Sequence, residues 1–291
     1  MRSMLFVPAD SERKFARARV SGADALIIDL EDSVAASKRP EARKLAARFL
    51  AGAHPEQKFY VRVNPIASGA MLDDLVAVMP ARPDGIVFPK STPEDTAVLD
   101  HYLTAFEAAF GSEPGSTRIF CIATETAGAM FRLGGYAGVS PRLSGLSWGA
   151  EDLSAAIGAA HNRRADGVYD DSFRLARALC LLGASAAGVQ PVDTVYTDFR
   201  NAEGLRAECA AARREGYTGK VAIHPDQVPV INEAFGVSAA EIDWARKVVA
   251  AFEAQPDAGT IGLEGKMLDR PHLMLARRVL ERAGEWNRKE G

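Results

Sequence analysis

The sequence contains little cysteine: Cys121, Cys180 and Cys209 are three residues in a chain of 291. An odd number without the spacing of zinc ligands argues against a disulfide-stapled scaffold and against a structural zinc site. Long apolar runs are missing too, since none approaches the roughly 20 residues that a membrane-spanning helix needs. The opening stretch, MRSMLFVPADSERK, is too short and too acidic for a secretory signal peptide. We therefore expect a cytoplasmic protein.

The chain also lacks an excess of charge of either sign, with 35 basic and 38 acidic residues and a formal net charge of −3. That balance argues against nucleic acid or an anionic membrane as the main partner. No Ser/His/Asp or Cys/His arrangement indicates a nucleophilic enzyme, and no GxGxxG motif follows the first predicted strand. The remaining composition, 47% hydrophobic, is that of an ordinary globular protein with a large buried core.

Eight short apolar runs alternate with amphipathic segments along most of the chain. Most of the runs are continuous rather than alternating, as in parallel strands buried on both faces. They cover residues 4–7, 25–30, 59–64, 85–89, 118–124, 143–148, 184–189 and 220–223, and the helical patterns between them cover residues 11–20, 40–50, 68–78, 93–110, 172–182 and 198–215. A strand begins roughly every 30 residues, the length of one strand-plus-helix unit. Residues 1–236 are therefore predicted to form a (β/α)8 TIM barrel, with a doubly wound open sheet as the alternative.

Residues 237–291 follow the eighth unit. They contain helical patterns at 239–254 and 271–283, separated by a glycine-rich stretch at 259–265. This segment is too short for a second substrate domain. We interpret it as a C-terminal helical extension of the barrel that contributes to oligomer contacts.

Polar side chains gather where the predicted strands end, which in a barrel is the face that carries the active site. They are Asp29, Glu31, Asp32, Arg62, Asn64, Lys90, Glu125, Glu151, Asp152, Asp193 and His224. Each of them alone has a structural alternative as a helix cap or an ion-pair partner. Their recurrence at most of the strand ends favours a functional site.

Glu125 and Asp152 follow the fifth and sixth predicted strands. Because neighbouring parallel strands lie about 4.8 Å apart, both carboxylates can reach one point over the barrel mouth. Two carboxylates without histidine or cysteine suit Mg²⁺, which takes one or two protein carboxylates and leaves its other positions to water and substrate. The alternatives are an N-cap role for Asp152, at a helix starting at Leu153, and an ion pair of Glu125 with Arg62.

Two basic residues interrupt this acidic set. Arg62 lies in an otherwise apolar strand, where an uncompensated charge is costly. A guanidinium aimed inward suits a carboxylate or a developing enolate, and the alternative is an inter-strand ion pair with Asp29 or Glu31. Lys90 either binds an anion or pairs with Glu125.

The strand ends lie in sequence blocks that resemble the citrate lyase β-subunit-like (CitE-like) branch of the HpcH/HpaI aldolase superfamily. The blocks are RSMLFVPAD at 2–10, GADALIIDLEDSVA at 22–35, VRVN at 61–64, GIVFPK at 85–90, ETAGA at 125–129, WGAEDLSAAIG at 148–158, PVDTVYTD at 191–198, GKVAIHPDQV at 219–228 and EGKMLDRPH at 264–272. Each block alone is modest evidence, whereas all of them in order are specific.

The resemblance implies a Mg²⁺-dependent lyase that makes or breaks a carbon–carbon bond between an acetyl thioester and a 2-oxoacid. It matches Glu125 and Asp152 to the family's metal ligands and Arg62 to its active-site arginine, beside which an enolate forms. It matches Asp269 to an aspartate that relatives supply from a neighbouring subunit, and this aspartate is the candidate acid or base at the enolate carbon. The enzyme is then expected to be a homo-oligomer, a trimer or a pair of trimers.

The substrate stays open between citramalyl-CoA, malyl-CoA, citryl-CoA and a methylated relative. Lys14, Lys38 and Arg39 are candidate contacts for the CoA phosphates, with solvated surface charges as the alternative. Asp32 stands where the free hydroxy-oxoacid aldolase branch has a histidine, which favours the thioester branch. The sequence also leaves open a citrate lyase β subunit that acts on a citryl-acyl carrier protein, a malate-synthase-like or thioesterase variant, and a non-catalytic metabolite-binding module.

Overall fold

Eight parallel strands close into a barrel in the order in which they occur along the chain, and β1 pairs with both β2 and β8. The structure is a computed structural model that describes residues 1–52 and 57–287. The barrel strands are β1 (Ser3–Pro8), β2 (Ala25–Asp29), β3 (Lys58–Arg62), β4 (Gly85–Phe88), β5 (Arg118–Ile122), β6 (Leu143–Ser147), β7 (Gln190–Asp193) and β8 (Gly219–Ala222). The predicted (β/α)8 barrel is confirmed, and the open doubly wound sheet is excluded.

Helices follow the strands around the outside of the barrel. They are α1 (Glu12–Arg19), α2 (Arg39–Ala51), α3 (Met71–Val78), α4 (Pro93–Phe110), α5 (Ala127–Met130), α6 (Ala150–Ile157), α7 (Asp171–Ala186), α8 (Ala202–Glu215) and α9 (Gln227–Phe235). Leu26 and Ile28 of β2 face these helices, whereas Ala25 and Ile27 join the barrel interior. Burial on both faces is the reason that the strands form continuous apolar runs. Within residues 1–52 and 57–287, no helix is long and apolar enough to cross a membrane.

Two aromatic rings lie in the barrel interior. Tyr60 and Phe120 belong to the inward-facing apolar cluster. Glycines on the next strands leave the space for them, because a Cβ at Gly145 would lie 2.7 Å from the Phe120 ring and a Cβ at Gly85 would meet the Tyr60 ring. The interior is therefore a packed plug below the carboxyl ends of the strands.

The seventh predicted strand is wrong, whereas the other seven differ from the observed strands by at most two residues at either end. Residues 184–189 cover the end of α7 and the turn after it, where Gly188 has a φ of 67°. An apolar, alanine-rich run of this length is compatible with either helix or strand. The observed strand, β7, contains Pro191, and a proline argues against a central strand because it cannot donate a hydrogen bond to the neighbouring strand.

A second compact unit, Gly236–Gly291, follows the barrel unit Met1–Phe235. Its described part contains α10 (Ala239–Glu253), β9 (Thr260–Leu263), β10 (Lys266–Asp269) and α11 (Arg270–Asn287), and residues 288–291 lie outside the described residues. The glycine-rich stretch 259–265 is more than a separator of two helices, because β9 and β10 form an antiparallel hairpin. The turn residues Glu264 and Gly265 both have positive φ, 50° and 77°, as tight hairpin turns require.

Candidate active site

A cavity of about 450 Å³ opens at the carboxyl ends of the barrel strands. Its lining combines charged side chains with apolar ones from several strands. The lining residues include Asp29, Asp32, Arg62, Glu125 and Asp152 together with Phe6, Ile122, Val195, Val221 and Ile223. Three of the predicted site residues, Arg62, Glu125 and Asp152, therefore share one cavity on the face where barrels of this kind carry their active sites.

Arg62 ends β3 at the same register as Asp29 on β2. Its Nε and Nη2 atoms donate to the two carboxylate oxygens of Asp29, both at 2.7 Å. Its Nη1 atom lies 3.0 Å from Glu31 and 3.4 Å from Asp32, and the guanidinium stacks over the ring of Phe6 at 4.6 Å. The inter-strand ion pair that the sequence left open for Arg62 is thus present, and Nη1 is the edge with the longer contacts.

Asp29 and Glu31 differ in how well their charge is compensated. Burial raises the pKa of Asp29, but the hydrogen bonds and charge of Arg62 outweigh it and lower that pKa below its usual value. Asp29 also accepts the backbone N–H groups of Glu31 and Ser33, at 3.0 and 3.2 Å, and so fixes the turn after β2. At Glu31 burial prevails over Arg62 and Lys90 and raises the pKa to about 6.

Glu125 follows β5 and is buried, with 4% of its surface exposed. Burial and then the nearby charge of Asp152 raise its pKa well above the usual value. The backbone N–H of Lys90 donates to its Oε2 atom, and a Cβ at Gly149 would lie 2.7 Å from its Cγ atom. The carboxyl group is therefore held in one position, and within the described residues its predicted alternative partner, Arg62, forms no ion pair with it.

Asp152 lies in the first turn of α6, whose N-cap residue is Gly149. The alternative of an N-cap role, at a helix starting at Leu153, is therefore wrong. The side chain of Asp152 is 30% exposed, and its Oδ1 atom lies 3.1 Å from the Nζ atom of Lys90. A carboxylate in the first turn is stabilised by the positive end of the helix dipole.

Lys90 joins these carboxylates to the Arg62 cluster. Its Nζ atom donates to Glu31 at 2.6 Å and also contacts Asp152, while its backbone N–H serves Glu125. Its φ is 49°, which is uncommon for a residue other than glycine. The alternative of an ion pair with Glu125 is replaced by a main-chain hydrogen bond, and the ammonium group contacts Glu31 and Asp152.

The donor set fits a hard divalent cation. Glu125 and Asp152 bring carboxylate oxygens to the cavity, and none of the residues lining it is a histidine or cysteine. Within the part of the chain that the structure describes, no group of three or more acidic, histidine or cysteine side chains is arranged as a complete metal cage. Because Mg²⁺ fills most of its shell with water and substrate oxygens, two converging carboxylates are sufficient for it.

Lys14, Lys38 and Arg39 do not line the cavity. Lys14 is exposed on α1 and pairs with Asp10 at 3.1 Å. Lys38 is exposed at the end of a short 3-10 helix (Ala36–Lys38) before α2, and Arg39 begins α2. All three lie near helix N-termini, which in a barrel flank the face that carries the cavity.

Asp269 ends β10 in the second unit. Its Oδ1 atom lies 2.5 Å from Nδ1 of His272, and this hydrogen bond lowers the pKa of Asp269 below its usual value. Sequence reasoning missed His272. Asp269 directly precedes α11 and His272 is the third residue of that helix, and this spacing, in which a residue before a helix meets the side chain three residues later, is the signal that would have found it.

Known proteins are similar to this chain over nearly its whole length. Residues 2–225 match the family HpcH/HpaI aldolase/citrate lyase. The chain is 36% identical to citrate lyase subunit beta of Haemophilus influenzae, with 99% of both chains covered. It is also 36% identical to the (3S)-malyl-CoA thioesterase of Cereibacter sphaeroides, with 97% of this chain and 94% of that one covered.

A solved structure extends the likeness to three dimensions. The crystal structure of CitE from Mycobacterium tuberculosis in complex with magnesium, acetoacetate and coenzyme A has a TM-score of 0.77 and 34% identity, and covers 97% of this chain and 98% of that one. Barrel and relatives together define an enzyme of the carbon–carbon lyase class. The chain belongs to the HpcH/HpaI aldolase/citrate lyase family, which confirms the family predicted from the sequence blocks.

Proposed function

We propose that the chain is a Mg²⁺-dependent lyase that cleaves, or in reverse forms, a 3-hydroxyacyl-CoA thioester. The products of cleavage are acetyl-CoA and a 2-oxoacid, and the candidate substrates are citramalyl-CoA, malyl-CoA and citryl-CoA. One observation carries the proposal: the carboxylates of Glu125 and Asp152 and the guanidinium of Arg62 line one cavity. A relative whose solved structure holds magnesium and coenzyme A supports the same function.

Glu125 and Asp152 would hold the cation. When bound, Mg²⁺ polarises substrate oxygens and favours negative charge on them. The protein's part is to keep the two carboxylates in place, through the backbone N–H of Lys90 for Glu125 and the first turn of α6 for Asp152. A pre-positioned pair avoids the cost of reorganisation during the reaction.

Arg62 would stabilise the enolate that forms at the thioester carbonyl. The two-point pair with Asp29 fixes the plane of the guanidinium and uses its Nε and Nη2 edge. The Nη1 edge remains, and its contact with the half-exposed Asp32 is the longest, at 3.4 Å. A substrate oxygen therefore competes for Nη1 at the smallest cost, and meets a fixed positive charge as the enolate develops.

Asp269 is our candidate for the group that protonates the enolate carbon in cleavage and removes that proton in condensation. Following the family resemblance, we propose that it acts in the barrel of a neighbouring subunit. The active enzyme is then a homo-oligomer, a trimer or a pair of trimers.

Lys14, Lys38 and Arg39 stay our candidates for contacts with the CoA phosphates, outside the cavity itself. Replacement of all three by alanine is expected to raise KM for the CoA thioester several-fold and to leave kcat unchanged, because a remote phosphate contact is the same in ground state and transition state. Steady-state kinetics of the triple variant measure this. A KM equal to that of wild type would show that the three residues are solvated surface charges without a role in CoA binding.

The proposed function is tested by a lyase assay with malyl-CoA, citramalyl-CoA and citryl-CoA, in Mg²⁺ and in EDTA. Acetyl-CoA and the matching 2-oxoacid are followed separately from free CoA and the free hydroxyacid. Metal-dependent release of acetyl-CoA from one substrate is the expected result. No cleavage of any of the three would contradict the proposal, and would favour a citryl-acyl carrier protein or a free oxoacid as substrate.

A second outcome has support of its own, since a relative that covers nearly the whole chain is a (3S)-malyl-CoA thioesterase. Release of free CoA and malate from malyl-CoA, without acetyl-CoA, would identify thioester hydrolysis at the same cavity. The separate product channels of the assay distinguish it from carbon–carbon cleavage.

A further inference from the structure

The ammonium of Lys90 lies between a carboxylate outside the cavity lining and one that lines the cavity. These carboxylates are Glu31, at 2.6 Å, and Asp152, at 3.1 Å. Glu31 is buried and is also held by Arg62 at 3.0 Å, whereas Asp152 is 30% exposed and faces the cavity. One partner is therefore a fixed carboxylate, and the other is a proposed metal ligand.

The backbone of Lys90 serves the second proposed ligand. Its N–H donates to the carboxyl group of Glu125, and its φ is 49°. Residues other than glycine seldom adopt that conformation. A single residue thus touches both proposed metal ligands, one through its main chain and one through its side chain.

We propose that Lys90 is an exchangeable counter-ion of the metal site: its ammonium neutralises Asp152 in the metal-free enzyme and stays on Glu31 alone once a divalent cation has bound. This inference rests on the proposed function, because it takes Glu125 and Asp152 as the metal ligands. Two positive charges cannot share Asp152 without mutual repulsion, so the ammonium competes with the cation.

The ammonium of Lys90 is expected to affect the enzyme chiefly when no substrate is bound. The ammonium lies within 3.1 Å of the carboxylates of both Glu31 and Asp152, so its positive charge is placed between them. It prevents repulsion among the carboxylates when no cation is present. It also weakens the affinity for the cation alone, which favours binding of the cation together with substrate oxygens.

The experiment compares wild type with Lys90→Met, Lys90→Arg and a matched control, Lys58→Met. Lys58 pairs with Asp84 at 2.7 Å at the start of β3, in the same barrel but away from the cavity lining. Mn²⁺ stands in for Mg²⁺, and free Mn²⁺ is measured by electron paramagnetic resonance without substrate. Unfolding temperatures are measured in EDTA and in excess Mg²⁺.

We expect Lys90→Met to bind Mn²⁺ about tenfold more tightly than wild type, the scale of one screened charge contact. Lys90→Arg and Lys58→Met should bind like wild type. In EDTA the unfolding temperature of Lys90→Met should fall, and Mg²⁺ should restore most of the loss. An Mn²⁺ affinity that is unchanged or weaker in Lys90→Met would overturn the inference, as would an equal loss of stability in EDTA and in Mg²⁺.

Asp152→Asn separates this inference from the proposed function. If Asp152→Asn binds Mn²⁺ as wild type does, the metal site itself is wrong. If it binds weakly while Lys90→Met is unchanged, only the role of Lys90 fails. Should Lys90→Met not fold, the double variant with Asp152→Asn decides: a folded double variant supports the counter-ion role, and an unfolded one overturns it.

Discussion

Asp29 and Arg62 end neighbouring strands at the same register and form a two-point ion pair, with both N···O distances at 2.7 Å. Both side chains are largely buried, and the pair sets the plane of the guanidinium at the cavity wall. Because charge, direction and position are fixed together, this pair links the stability of the barrel mouth to its chemistry.

Asp29→Asn is expected to destabilise the protein by about 3 kcal/mol, the usual cost of breaking a buried ion pair from one side. It should also lower kcat, since the guanidinium loses its two-point support. Urea unfolding and lyase kinetics measure the two effects. Asp73→Asn is the control, because Asp73 pairs with Arg43 but is 71% exposed. Equal stability of the two variants would contradict the importance of the Asp29–Arg62 pair.

Asp152→Ala is expected to abolish turnover while the barrel stays folded. Loss of a proposed metal ligand should lower kcat by about a thousandfold, or about 4 kcal/mol of transition-state stabilisation. Asp171→Ala is the matched control, because Asp171 also lies in the first turn of a helix but is 81% exposed. Circular dichroism checks the fold of both. Wild-type turnover by Asp152→Ala would remove Asp152 from the metal site.

Gly149→Ala tests the packing around Glu125 without removing any charge. The new Cβ would lie 2.7 Å from the Cγ atom of Glu125 and push the carboxyl group from its place. A displacement of this size should lower kcat by about a hundredfold. At Gly134 a Cβ would meet nothing within 4 Å, so Gly134→Ala should retain full activity. Comparable activity of the two variants would show that Glu125 tolerates movement.

Glu107 gives the protein a stability that depends on pH. Burial raises its pKa, but hydrogen bonds from Arg142, Thr117 and Gly115 outweigh burial and lower it to about 2. A carboxylate with a lowered pKa stabilises the fold above its unfolded-state value near 4.5, and that stability is lost as the pH falls from there to about 2.

The contribution corresponds to about 3 kcal/mol at neutral pH. Glu107→Gln should therefore be less stable than wild type at pH 7, and the difference should shrink toward pH 2. Urea unfolding across this range measures it, with the exposed Glu113→Gln as control. A constant difference between Glu107→Gln and wild type would exclude the ionised carboxylate as the cause.

Mixing of two inactive variants tests whether Asp269 acts in a neighbouring barrel. Asp152→Ala and Asp269→Asn should each be inactive. Unfolded together and reassembled in equal amounts, they should regain about a quarter of wild-type activity, since that share of random neighbour pairs joins an intact barrel to an intact Asp269. Each variant reassembled alone is the control. No recovery, in oligomers shown to be mixed, would place Asp269 in its own barrel, and an active Asp269→Asn variant would place it outside the reaction.

The positions of Glu125 and Asp152 could be predicted from sequence because of a geometric constraint. Apolar runs identify the strands, and the ends of parallel strands meet on one face, so polar residues after neighbouring strands converge. The same rule failed at the seventh strand, because Pro191 interrupts the apolar pattern of β7 and the apolar end of α7 resembles a strand in sequence.

Some features were not accessible in this way. The proposed role of Lys90 involves a backbone φ of 49°, and no residue type in the motif GIVFPK predicts that angle. The choice of Asp29 as the closest partner of Arg62 depends on strand register, and sequence left it open with Glu31. Asp269 lies beyond the repeating units, so only the family resemblance proposed it.

The rings of Tyr60 and Phe120 make the barrel a cup with a floor. They occupy the space that side chains at Gly85 and Gly145 would fill, so each ring and the glycine on the next strand are sterically complementary. Such partners are expected to change only in pairs during evolution. Ile122 and Val221 line the cavity and belong to the same interior cluster as the two rings, so the packed interior closes the barrel below the cavity and a bound molecule enters and leaves through the open mouth.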